Sequence, residues 1–97
     1  MLLIVIEKGK EGYRERGFIP FDTEDEEMKL LKSIAETYNA RIERGEERVK
    51  LVDDFRLHAG AFIRAHSLGY NLLRRIYVAI SNKEIKAFIF VYDKVRT

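Results

Sequence analysis

Residues 53 to 70, DDFRLHAGAFIRAHSLGY, hold both histidines of this 97-residue chain. Carboxylates, imidazoles and guanidiniums on one helical stretch are the raw material of acid–base or metal chemistry. Asp54 and His58 stand four residues apart, the spacing at which side chains meet on one helix face. They would form a carboxylate–imidazole pair, half of an acid–base device. No nucleophile completes it: Ser67 follows His66 directly and points about 100° away around the helix. The other serines are Ser33 and Ser81. His58 and His66 would lie about 12 Å apart along the axis, too far to share one metal ion. The expectation is therefore two structural histidines, no metal and no cofactor, with His66 buried between Phe62 and Tyr70. Asp54, His58 and His66 remain a secondary set for ligand binding or catalysis. Arg56 and Arg64 share a narrow polar stripe and form a reserve contact surface.

The rest of that helix is apolar on both flanks of the stripe. Such a helix needs cover on more than one side, from a sheet and from a second helix or a second subunit. Ala61, Ala65 and Gly69 recur every four residues and let another backbone come close. Gly69 is the expected left-handed stop of the helix.

Other elements must position this helix. MLLIVI is too short an apolar run for a membrane span or a signal-peptide core. It reads as a buried strand of a cytoplasmic protein. GKEG interrupts it and YRERGFIPF returns as a second strand. The basic residues of this loop lack the glycine spacing of a phosphate-binding motif. DTEDEEMKLLKSIAETY is a helix: Thr23 and Glu26 make a capping box, and four acids occupy the positive end of the helix dipole. ARIERGEERVKLV predicts a short strand, a turn and a longer strand, with Val49 and Leu51 toward the core and Arg48 and Lys50 opposite. RIYVAI, a turn at SNKE, and IKAFIFVYD form a closing hairpin. IEKGKE and IERGEE hint at an internal hairpin–helix repeat.

In the closing hairpin, alternation puts aliphatic residues on one face and Tyr77, Phe88, Phe90 and Tyr92 on the other. With Arg48 and Lys50 near, such a face suits single-stranded nucleic acid, by stacking and phosphate contact. Burial by the 9–21 segment, or by a second copy of the chain, is the competing reading.

Composition sets the outer bounds. The chain has no cysteine, so disulfides and thiolate metal sites are excluded. It has 18 basic and 16 acidic residues, no glutamine and three asparagines, the profile of heat-adapted proteins. Charge is uneven: residues 1–40 carry 6 basic and 9 acidic groups, and residues 41–97 carry 12 and 7. An acidic half and a basic half favour an anionic partner, or a second copy.

These readings converge on one domain spanning residues 1–97, of class α+β. Two helices pack on one face of a mostly antiparallel sheet of four to six strands, in the order hairpin–helix–hairpin–helix–hairpin. The expected role is a small non-enzymatic binding or assembly module, a homodimer with no membrane partner. The alternatives are a nucleic-acid-binding protein that uses the aromatic–basic face, and a small enzyme or ligand-binding protein built around Asp54, His58 and His66.

Overall fold

The computed structural model describes residues 1–47 and 55–95, with side chains described for 1–47 and 59–95. The elements run β1 (Leu2–Gly9), β2 (Gly12–Pro20), α1 (Glu24–Tyr38), β3 (Arg41–Arg44), α2 (Phe55–Ser67), β4 (Leu72–Ser81) and β5 (Glu84–Asp93). The five strands form one sheet in the order β2-β1-β5-β4-β3, and every neighbouring pair is antiparallel. The class is α+β as expected, but the middle hairpin is not seen. β3 pairs with β4, and the expected return strand through Val49 and Leu51 lies outside the described residues. The second hairpin of the expected internal repeat falls on those residues.

Local chemistry explains the helix ends. Thr23 caps α1, its Oγ1 accepting from the Glu26 N–H at 3.2 Å, and the Glu26 carboxylate reaches back toward the Asp22 N–H at 3.4 Å. Asn39 ends α1 in the left-handed conformation, φ 47°. Gly69 does the same after α2, φ 90°. The Tyr70 N–H donates to the Ala65 carbonyl and the Gly69 N–H to the His66 carbonyl, the paired bonds of a Schellman stop.

The two helices do not share a face, contrary to expectation. Leu31 and Ile34 of α1 pack with Leu3, Val5, Ala79, Ala87, Ile89 and Val91. Ala61 and Ala65 of α2 pack with Leu2, Ile4, Ile6, Phe88, Phe90 and Tyr92 on the opposite face. Both faces of the central strands are covered, which is why β1 and β5 read as nearly unbroken apolar runs.

One extra residue decides which side chains share a face. Asn82 and Lys83, both with positive φ, make a two-residue turn that sets Ser81 opposite Glu84 and Ile80 opposite Ile85. Continued without interruption, that register would set Tyr77 opposite Phe88 and divide the sheet into an aliphatic and an aromatic face. A bulge at Lys86 shifts it: Ala79 pairs with Ala87, Val78 with Phe88, Tyr77 with Ile89 and Ile76 with Phe90. A one-residue slip moves a whole strand's set to the other face. Tyr77 therefore leaves the aromatic group and joins the α1 face, and Ile76 and Val78 join the aromatics. A second bulge at Arg74 restores the original register, so that Leu73 pairs with Tyr92.

Candidate docking surfaces

The aromatic face is not an open platform. Phe88, Phe90 and Tyr92 are fully buried, packed by α2 and by Tyr13 and Phe18 of β2. Tyr13 tilts against Phe88 at 5.8 Å between centroids, and Phe62 against Tyr92 at 6.5 Å. Arg64 lies over the Phe18 ring at 4.8 Å, so its guanidinium closes the β2 side of this layer instead of standing free. Arg48, Lys50 and Asp54 lie outside the described residues; Arg56 and His58 belong to the first turn of α2. His66 is exposed, not buried, and stacks on Phe62 at 5.6 Å with the ring planes 22° apart. The cause is the small contact strip of α2. Ala61 and Ala65 are 1% and 0% exposed, so the helix sits low on the bulky aromatics and buries only a narrow band. The site residues chosen from the sequence are thus not brought together: three lie in the core, Tyr77 is on the far face, and His66 points outward.

What α2 leaves outside is large and apolar. Phe62, Ile63 and Leu68 are 41%, 68% and 51% exposed. Leu72, at the start of β4, and Val95, after β5, are exposed beside the end of the helix. The Val95 N–H donates to Asn71 Oδ1 at 2.9 Å, and Lys94 sits over Tyr70 at 5.0 Å, which ties the chain after β5 to the α2–β4 connection.

On the other face, a groove of about 710 Å³ runs between α1 and β3. Leu31, Ile42 and Tyr77 line it, Met28 stands on its lip 66% exposed, and Lys29, Lys32, Arg41 and Arg44 contribute charge. Near it lies the one buried charged side chain among the described residues, Glu27. Arg75 donates to Glu27 from Nε and Nη2, both at 2.8 Å, a bidentate pair that offsets the cost of taking the carboxylate from water. Tyr77 also donates to Glu27, at 3.4 Å. Burial, followed by the Glu27 charge, pushes the Tyr77 phenol upward. Arg44 rests over the Tyr77 ring at 5.7 Å and is bound to Glu46, which holds the Glu46 carboxyl below its usual range. This network fixes α1 to β4 and fills the charge requirement of the groove's end. No sequence signal pairs residues 27 and 75; Arg75 alternates with Tyr77 and Ala79 and so faces α1 with them.

A second polar contact anchors the other end of α1. The Tyr38 hydroxyl donates to Glu7 at 2.9 Å, and Arg16 donates to the same carboxylate at 3.0 Å. The Tyr38 bond is the main cause of the lowered Glu7 carboxyl, and burial pushes Tyr38 up to about 12. Among the described residues no cluster of three metal-ligating side chains occurs, and no helix is long and apolar enough to cross a membrane. Comparison with protein-family models, with curated proteins and with solved structures found no match to this chain.

Proposed function

We propose that this chain is a small non-enzymatic binding or assembly module that works as a homodimer. The observation that carries the reading is the amount of large apolar side chain left outside: Phe62, Ile63, Leu68, Leu72 and Val95 around α2, and Met28 at the α1 groove. Scattered exposed apolar residues are ordinary, but grouped ones mark contact surfaces. The polar groups with the strongest mutual contacts, Glu27 with Arg75 and Glu7 with Tyr38, are spent on holding α1 to the sheet. That supports a scaffold role for them. The test is solution mass by sedimentation velocity across a wide range of chain concentration, with Ile63→Glu and Met28→Glu as variants. A species of twice the chain mass, lost or weakened in one variant, is the expected result. A single-chain mass at every concentration overturns the homodimer.

A further inference from the structure

β3 is a terminal strand of the described sheet, with β4 as its one strand neighbour. Proteins blunt such edges by twisting them away or by charging them. The opposite edge, β2, carries a bulge at Arg16 and ends at Pro20; β3 is short and charged, but its charges are of both signs. β3 has the sequence Arg41-Ile42-Glu43-Arg44 and pairs in continuous register with β4. Its charges alternate in sign, and that pattern is self-complementary in an antiparallel pairing.

The backbone parity agrees with this pattern. Gly45 donates its N–H to the Ile76 carbonyl at 2.8 Å. In an antiparallel ladder the bonded positions alternate. Glu43 and Arg41 therefore turn their peptide groups toward β4, and Ile42 and Arg44 turn theirs toward the edge that no described strand covers. We infer that two copies of this chain pair through β3 about a twofold axis at Ile42, joining their sheets edge to edge. This rests on the homodimer reading above and places the contact at β3 and the α1 groove, with the exposed apolar residues of α2 on the other face outside the seam. In that register Ile42 faces the partner's Ile42 as a hydrogen-bonded pair. Arg41 faces the partner's Glu43 and Glu43 the partner's Arg41, at non-bonded positions where side chains approach most closely. A shift of one residue would instead oppose Arg41 to the partner's Arg44 and Ile42 to the partner's Glu43.

The side chains suit both faces of the seam. Arg41 and Glu43 are opposite Ile80 and Val78, on the α2 side of the sheet, where they already form an in-strand ion pair at 2.8 Å. They are 72% and 41% exposed and so available to a copy. Ile42 lies on the α1 side, in the apolar groove. A twofold axis normal to the sheet keeps both α1 helices on one side, so the two grooves meet across the seam and Ile42 and Met28 gain cover.

The test uses charge reversal in the full chain. Arg41→Glu places two acids on the edge and Glu43→Arg places two bases there. Each should weaken dimerisation about tenfold through two like-charge contacts. An equimolar mixture should recover affinity as a heterodimer, although each chain still lacks its in-strand pair. Failure of the mixture to recover overturns the register. A native dimer insensitive to both reversals overturns the β3 seam but leaves the assembly module standing, and a native chain that stays monomeric overturns both. Amide exchange is the second readout and needs no variant: the Ile42 and Arg44 N–H groups should be protected at high chain concentration and exchange faster on dilution. Protection that does not change with concentration counts against the seam.

Discussion

The two faces of the sheet fill the same kind of space in opposite ways. On the α1 face the sheet offers small or aliphatic side chains, Ala79, Ala87, Ile89 and Val91, and the helix side supplies bulk through Leu31, Ile34 and Tyr38. On the α2 face the sheet supplies the bulk, Phe88, Phe90 and Tyr92, and the helix answers with Ala61 and Ala65. A helix-on-sheet layer has a nearly constant thickness, so bulk on one side requires smallness on the other. The difference extends to what each helix leaves outside. α1 is locked by charge and buries Leu31 and Ile34, whereas α2 rides on alanines and leaves Phe62, Ile63 and Leu68 outward.

The largest effect should come from emptying the aromatic layer. Phe90→Ala removes a fully buried ring that two alanines cannot replace, and should cost about 3–5 kcal/mol in a denaturant titration. A cost under about 1 kcal/mol would mean that α2 settles into the gap and that the layer is not size-matched. Next is the charge lock of the other face. Glu27→Ala leaves Arg75, three-quarters covered, without its partner and should cost about 3 kcal/mol. Replacing both by methionine should cost much less, because the penalty comes from an unpaired buried charge. Equal losses in the single and double variants would show that the pair acts through packing alone.

Gly69→Val tests the stop of α2 and should cost more than about 1 kcal/mol, since a β-branched residue resists φ 90°. Thermal melting reads it directly. The smallest change at neutral pH should be Tyr92→Phe. The Tyr92 hydroxyl is buried without a hydrogen-bond partner, so its removal should be neutral or stabilising by up to about 1 kcal/mol. Alkali separates the two faces further. Burial raises the Tyr92 phenol, and it raises Tyr38 to about 12. Both phenols fold in the neutral form, so their contribution is complete below the unfolded value of about 10 and is lost as pH rises through the folded values. Stability should hold to about pH 10 and then fall, and Tyr92→Phe should fall less steeply than the native chain. Identical alkaline limbs would show that Tyr92 does not titrate from a dry site.

Much of this architecture was legible from local chemistry. The apolar run of β1, the GKEG interruption, the Thr23–Glu26 capping box, the Gly69 stop and the SNKE turn each act over a few residues, and each element stands where its signal is. The assignment of faces was not legible. Lys86 sits between Ile85 and Ala87 like any outward position of an alternating strand, and nothing in the pattern shows that it is a bulge. Passing over that one residue placed Tyr77 with Phe88, and taking the aliphatic face as the natural seat of both helices placed them on one side. His66 misled for a different reason. An apolar arc predicts burial only if the helix contact is wide, and alanine contacts make it narrow. The Glu27–Arg75 pair and the β3 edge depend on strands distant in sequence and had no local signal at all.

The position of β5 has a consequence in time. It is the last of the described elements in chain order and the middle strand of the described sheet, joining Ile4 to Phe90 on one side and Phe88 to Val78 on the other. Closing so long a loop costs entropy before any contact offsets it, which puts folding in the range of about milliseconds to seconds. Stopped-flow refolding complete within microseconds would contradict that. During synthesis the same order leaves Leu2 to Ile6 without their β5 partner until residues 84–93 emerge, so β1 presents an apolar strand edge through that interval.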